Sequence, residues 1–476
     1  MEIKPPSPPL KKAKGARFRV ILKSATIVTL ILLLHVPLML VRGTLSERRA
    51  YRDRAVASIA EAWGGNQTVT GPLLAIPVIW TESAESRLVV DGVVHRSGNP
   101  IEVEGSLFLL PASLKVDGLV ETSIRYRGIF ETAVYQSTLS LTGSFNPADP
   151  ALAESDCRLD WGRARLVFGL SDLRGISEPP GLVMNGVAGT FSPDSGLEKM
   201  GLGISAPIGE KMPDGELVFE IELAFRGSGG LSFVPMAAEN TVVLSGNWPT
   251  PGFRGSSLPA QRKITDAGFS AGWGVSSFGR PFPQSWTDRS EANLSNWHAL
   301  GRSSFGVDLI TPIDAYRTVE RSLKYGVLFF VLIFTVFFLF EVVARVRVHP
   351  FQYLLVGAAL CLFYLGFLSL GEILGQGVAY LLSALACITM ITLYTISVLR
   401  GGGRSIYVAT GLGATYLCLY IVLRLEDFAL LAGTVALFAA LSLVMFVTRR
   451  IDWYGLENSG AAHPEGPRPV SGANRP

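Results

Sequence analysis

Read for stretches that carry no charge, the chain has one apolar run near its start, a long polar middle and a close set of apolar runs near its end. A helix needs about 20 apolar residues to cross the hydrocarbon core of a bilayer. Residues 24–41 form the first such run, and five more follow at about 325–344, 350–370, 373–399, 405–423 and 428–448. The connections among the last five are too short to hold domains. In the middle, Tyr51, Ala55, Val56, Ile59, Ala60 and Trp63 recur near the helical period, so residues 47–63 are predicted to form an amphipathic helix. After Gly64-Gly65 the pattern changes. Short and often alternating runs at 73–80, 88–94, 101–110, 116–126, 132–143, 164–170, 216–225 and 241–245 are separated by Gly, Pro, Asn or Asp, the signature of a sandwich-like or open-sheet β domain. The expected fold class is a polytopic α-helical membrane protein of about six transmembrane helices, with a large β-rich periplasmic domain inserted between the first and second.

Charge gives this layout a direction. Lys11, Lys12, Lys14, Arg17, Arg19 and Lys23 precede the first run, which ends at Val41-Arg42 without a small-x-small cleavage pattern, so it reads as an uncleaved signal anchor. With the N-terminus in the cytoplasm, Arg345, Arg347, Arg400, Arg404, Arg449 and Arg450 all fall on the cytoplasmic side. The opposite short loops hold Glu372, Arg424, Glu426 and Asp427. Arg48, Arg49, Arg52 and Arg54 weaken the bias just after the first span, but an even number of spans returns both termini to the cytoplasm. The expected segments are a disordered tail over 1–19, the anchor over 20–42, the periplasmic domain over 43–322, a five-helix block over 323–450 and a cytoplasmic tail over 451–476.

Composition agrees with a bilayer partner. Charged residues make up 17% of the chain, against roughly 25% in soluble globular proteins. The net charge of +3 is scattered along helix flanks, which excludes a nucleic-acid footprint. Cys361, Cys387 and Cys418 lie in apolar runs, so Cys157 stands alone in the polar middle and no disulfide framework is expected there. The histidines have no metal-ligand spacing, and no cofactor is expected.

Gly268-Phe269-Ser270-Ala271-Gly272 matches the G-x-S-x-G nucleophile pattern, whose chemistry needs a strand-to-helix elbow. Its continuation through Trp273 and Val275 instead reads as a strand with the large side chains on one face. A base would have to be His95 or His298, so no catalytic residue is assigned and the chain is read as a non-enzyme. Gly401-Gly402-Gly403-Arg404 lacks the strand context of a phosphate loop and reads as a turn. His35 and Glu341 are ionisable groups at membrane depth and therefore candidates for function. Glu341 is expected to pair with Arg345 at i+4. Arg424, Glu426 and Asp427 form a charged outer turn that either docks the outer domain or sets the helix ends. Together with Glu372 these are the candidate functional or interface residues.

Several ordered stretches resemble the CreD family of bacterial inner-membrane proteins. They include Gly71-Pro72-Leu73-Leu74-Ala75-Ile76-Pro77-Val78, Arg127-Gly128-Ile129-Phe130-Glu131, Phe168 through Ile176, Leu231-Ser232-Phe233-Val234-Pro235, His349-Pro350-Phe351-Gln352-Tyr353, Leu425-Glu426-Asp427 and Arg449-Arg450-Ile451-Asp452-Trp453-Tyr454. The resemblance implies an inner-membrane protein of cell-envelope integrity, associated with the CreBC regulon, colicin tolerance and the β-lactam response. It implies no catalytic residues. The expected partners are the lipid bilayer and periplasmic or envelope components. Two other classes stay open: a transporter or lipid-handling protein with Glu341, Tyr364, Glu372 or the Arg424 cluster along a path, and a signalling accessory to a sensor kinase.

Overall fold

A computed structural model describes residues 14–83, 86–90, 93–97, 100–147, 157–209, 215–309, 315–344, 348–399, 402–425 and 428–449. The chain forms two compact units, one from Met1–Ala50 with Ile313–Pro476 and the other from Tyr51–Pro312. Helix α1 (Lys14–Trp63) contributes to both. The anchor and the amphipathic segment expected as separate helices are therefore continuous. The physical reason lies in the join, where the Arg-rich residues 46–54 include good helix formers and Gly43, one isolated glycine, costs only ~1 kcal/mol. Pro37 is accommodated inside the helix.

Within the Tyr51–Pro312 unit two large sheets enclose the main core. The first has nine strands, with Gly203–Pro207, Arg165–Leu170, Gln67–Ser83, Gly230–Phe233, Phe305–Leu309 and Pro251–Gly255 in spatial order. Pro100–Leu109 and Cys157–Leu159 also pair with Gln67–Ser83, and Ser285–Thr287 pairs with Pro100–Leu109. The second sheet has eight strands, in the order Val187–Thr190, Gly181–Met184, Leu217–Ser228, Phe130–Phe145, Ser113–Arg127, Glu239–Gly246, Gly268–Ser276 and Gln261–Thr265. Ile76, Phe168 and Phe305 from the first sheet share one buried cluster with Leu139, Phe219 and Trp273 from the second.

The two sheets differ in how their outer faces are covered, and the sequence pattern follows. Leu217–Ser228 and Glu239–Gly246 alternate buried and exposed positions, as one-sided sheets do. Arg165–Leu170 and Gly230–Phe233 are buried almost throughout, because the far face of their sheet carries a second apolar cluster. Helix α2 (Asn293–Arg302) supplies Trp297, Ala299 and Leu300 to that cluster, against Phe108, Val167 and Trp286. The eight runs predicted as strands all lie on strands, but residues 88–94 divide between Ser86–Val90 and Val93–Ser97, with residues 91–92 outside the described residues. The family-like Gly71-Pro72 sits at a register shift between Thr70 and Leu73. Gly71 has a φ of +117° there, and a Cβ would lie 3.1 Å from the Val167 carbonyl oxygen.

One buried side chain ties the sheets together at their start. Gln67, with no solvent exposure, donates from Nε2 to the Asp172 carbonyl at 3.0 Å and to the Arg226 carbonyl at 3.2 Å. Its Oε1 accepts from the Asp172 backbone N–H at 3.1 Å. Arg226 belongs to the second sheet and Gln67 to the first. Gly64, with a φ of +106°, passes so close that a Cβ would lie 2.7 Å from the Arg226 carbonyl oxygen. Just before it, Trp63 donates from Nε1 to the Tyr135 carbonyl at 3.2 Å, with Arg125 and Arg226 over its ring at 4.7 and 5.1 Å.

In the other unit, α1 presents Leu34, Leu38, Val41 and Leu45 as a buried stripe. Helices α3 (Ala315–Lys324) and α4 (Gly326–Ala344) follow, bent by 52° at the break between them. Then come α5 (Pro350–Leu374), α6 (Gln376–Leu399), α7 (Gly402–Arg424) and α8 (Ala429–Thr448). Glycine sets how closely α1 can pack: a Cβ on Gly357 would fall 2.0 Å from Leu34 Cδ1, and one on Gly326 would fall 2.9 Å from Leu38 Cδ2. Phe363 and Tyr416 pack edge to face at 4.8 Å, with Phe329 against Tyr416 at 4.9 Å. Among the described residues four helices are long and apolar enough to cross a membrane, or five with the bent pair counted as one span. The last expected span coincides with α8, whose apolar stretch Leu431–Phe446 is a shorter one.

Replacing Gln67 with Leu leaves two carbonyls and one N–H without their buried partner. The β unit is expected to lose about 2–4 kcal/mol, read as faster amide exchange at residues 165–176 and 217–228 in the full chain, whereas unchanged exchange there would sink the clamp. Gly357→Val drives side chain into Leu34 and should lower the thermal midpoint in detergent, with Leu34→Ala in the same chain restoring part of the loss. Asp172 gives a pH test. Arg174, bonded to it at 2.8 and 2.9 Å, holds its carboxyl below the usual range. A depressed folded-state pKa adds stability that is complete above the unfolded value of about 3.9 and lost as pH falls through the folded one. Exchange protection at residues 165–176 should therefore exceed that of Asp172→Asn at about pH 6 and converge with it as the pH falls through the lowered folded-state value.

Candidate functional site

Charge in the helical unit gathers where α1, α3 and the end of α5 meet. Glu372 lies in the last turn of α5, with a side chain only 10% exposed. It accepts a hydrogen bond from the Tyr316 hydroxyl at 2.9 Å, and Arg48 Nε stands 3.7 Å from the same oxygen. One turn along α3 from Tyr316, Glu320 pairs with Arg49 at 2.8 Å and with Lys324 at 3.3 Å. Arg42 donates to the Leu323 carbonyl at 3.0 Å, one of the orphan acceptors at the end of α3. Amphipathicity places these groups. Tyr316, Val319 and Leu323 are buried, so Glu320 and Lys324 stand on the wetter side of α3 toward the arginines of α1.

This arrangement braces three helices with charge. Each carboxylate is matched by a cation or a phenol. Of the residues singled out from the sequence, Glu372 stands in the network. Arg424 stands apart, with Nε bonded to the Tyr420 hydroxyl at 3.0 Å. Glu426 and Asp427 lie outside the described residues, as does Arg345. The expected Glu341–Arg345 pair therefore falls outside the described residues, and within them Glu341 accepts from the Tyr353 hydroxyl at 3.1 Å. His35 is half-buried on α1 and Tyr364 is fully buried in α5. Sequence reading did not single out Tyr316, Glu320 or Arg49 as members of a site. Glu372 lies 56 residues from Tyr316 and Arg49 lies 271 from Glu320, and the local clue was the amphipathic spacing of residues 316–323.

Ser270 occupies an exposed position on the strand Gly268–Ser276, with Phe269, Ala271, Trp273 and Val275 buried on the other face. A 3-10 turn at Ser277–Gly279 follows the strand, so the strand-to-helix elbow of a hydrolase does not form. Among the described residues no group of three or more His, Cys, Asp or Glu side chains is placed to hold a metal ion.

The family model described as "Inner membrane protein CreD" matches residues 19–454. The inner membrane protein CreD of Escherichia coli strain K12 is 35% identical over 438 residues, covering 91% of this chain and 93% of its own. Among solved structures, one from Parabacteroides distasonis ATCC 8503, titled as a candidate protease, covers 64% of this chain and 59% of its own. At 11% identity and a TM-score of 0.19 it carries neither fold nor activity across.

The brace makes an ordering testable. Tyr316→Phe strands a largely buried carboxylate and should cost about 1–2 kcal/mol, whereas Arg48→Ala removes a half-exposed partner and should cost less than ~1 kcal/mol. Thermal unfolding of the full chain in detergent checks it; the reverse order would show that Arg48, not the phenol, holds Glu372.

Proposed function

The chain belongs to the CreD family of inner membrane proteins, and from that premise we propose that it is a non-catalytic, multi-pass protein of cell-envelope integrity and stress response. The observation that carries this reading is the match along nearly the whole chain, through both the β unit and the helical unit. In this reading the roles implied by the resemblance, in the CreBC regulon, colicin tolerance and the β-lactam response, extend to this chain. The β unit stands in the periplasm, six spans anchor it, and both termini are cytoplasmic. Positive charge at Lys11 to Lys23 and at Arg449 and Arg450 supports that orientation. The partners are the bilayer and periplasmic or envelope components, met through the outward face of the one-sided sheet. Ser270, exposed on a strand, has no catalytic part in this reading.

One observation favours a second reading, a transporter or lipid-handling protein. The Tyr364 hydroxyl and Ser383 Oγ are buried within the helical unit and have no hydrogen-bond partner among the described residues. Buried hydroxyls at such depth are polar footholds for a passing ligand.

Deleting the gene should raise sensitivity to bile-salt detergent and to β-lactams. Wild type, Ser270→Ala and Tyr364→Phe should all restore resistance to the parental level. Loss of rescue by Ser270→Ala would sink the non-catalytic reading, and selective loss by Tyr364→Phe at normal protein level would move the weight to the second. Reporter fusions at residues 150, 345 and 460 check the orientation, with only the first expected outside the cytoplasm.

A further inference from the structure

Arg280 is 8% exposed and follows the 3-10 turn at Ser277–Gly279 in the β unit. Its Nη1 donates to the Met236 carbonyl at 2.7 Å and its Nη2 to Gln284 Oε1. Nε, also buried, has no hydrogen-bond partner among the described residues. Gln284 is itself fixed, since its Nε2 donates to the Leu110 and Pro111 carbonyls at 2.8 and 2.7 Å. The guanidinium is thus oriented by neutral groups alone, and among the described residues no carboxylate pairs with it. Burial lowers it to about 10, with no acid offsetting the effect. Holding two loops together needs donors but not a charge. The Phe282 ring lies 4.9 Å from the guanidinium carbon and offsets part of its charge, but a buried cation with no counter-ion is still costly, and the described residues supply no anion to match it.

The same side chain lines a recess of ≈ 510 Å³, within the range of small-ligand sites. Leu109, Ala112, Ala238, Phe282 and Pro283 form the apolar part of its wall together with Leu110 and Phe278. Phe278, also at the recess, is fully exposed, an unusual position for a phenyl ring unless something covers it. The geometry points to a binding site for a monoanionic carboxylate with an apolar substituent, its charge beside Arg280 and its apolar part against Phe278 and Phe282. A single uncompensated cation matches one negative charge, and three of its five N–H groups are not used by the two bonds above. A phosphate dianion would bring excess charge into apolar walls. Two sources carry the required chemistry, the C-terminus of a peptide ending in apolar residues and a medium-chain fatty acid. The site is independent of the envelope role proposed above.

The test uses the full chain in nanodiscs of neutral phosphatidylcholine, with empty nanodiscs as the blank and binding read by calorimetry. One arm uses N-acetyl-Ala-Leu-Leu and its C-terminal amide, the other octanoate and octanamide. In at least one arm the acid should bind saturably and at least tenfold tighter than its amide, and the arm that does so identifies the source. Arg280→Gln should abolish that preference. If this variant does not fold, Phe278→Asp, at a fully exposed position, should weaken the acid at least threefold and leave the amide within twofold. Equal binding of acid and amide in both arms, no saturable binding up to millimolar probe, or a preference that survives Arg280→Gln would each overturn the assignment. Competition by inorganic phosphate at equal concentration would overturn the monoanion class.

Discussion

Gln67 is where the β unit begins to be one object instead of two sheets. The interior between the sheets is apolar and non-directional, so it presses them together without fixing where each chain starts. Three hydrogen bonds from one fully buried amide do fix it, because each partner is a backbone group that has no water to turn to. The surroundings are shaped to let the amide in. Gly64 and Gly175 both approach the Arg226 carbonyl so closely that a Cβ would collide with it, and at Gly175 it would also meet Gln67 Nε2. The residues linking α1 to the first strand are therefore specified by backbone proximity, and the rest of the register follows along the central strand Gln67–Ser83.

The helical unit meets the same problem by other means. In lipid, apolar side chains gain nothing by leaving lipid for protein, so close packing and paired polar groups must hold the helices. Gly357 and Gly326 admit Leu34 and Leu38 at close range, and the Tyr316–Glu372 and Arg49–Glu320 contacts tie the helix ends where charge is tolerated. Packing sets the distance between helices and the charged brace sets their register. Either alone would leave a degree of freedom.

Patterns local to the sequence are legible, and juxtapositions are not. Apolar length gives the helices and alternation gives the one-sided strands, such as Leu217–Ser228. Helix α2 and the short strand Gly230–Phe233 escape, because a sheet covered on both faces loses its alternation and the covering helix is brief. The motif Gly71-Pro72 is visible as a family mark, but its meaning, a register shift beside Val167, needs the neighbouring strand. The candidate site divides the same way. Glu372 stands out as an acid at a helix end, while Arg49 looks like one more flanking cation until Glu320, 271 residues away, is seen against it. Ser270 shows the converse: its motif is local and legible, but the elbow that would give it chemistry depends on what the chain does next.

A charged residue can be held in a buried place for two reasons, and the two units of this chain show how they differ. Glu372 is buried beside its phenol and its arginine, so its charge is answered within the fold and removing it leaves nothing seeking a partner from outside. Arg280 is buried beside a carbonyl, an amide and the Phe282 ring, which orient it without supplying a counter-ion. The first arrangement spends its electrostatics on the structure. The second leaves a field directed into an open, apolar recess, where a low local dielectric strengthens whatever single negative charge arrives. Compensation by the protein itself, more than burial or depth, is what separates a brace from a binding site.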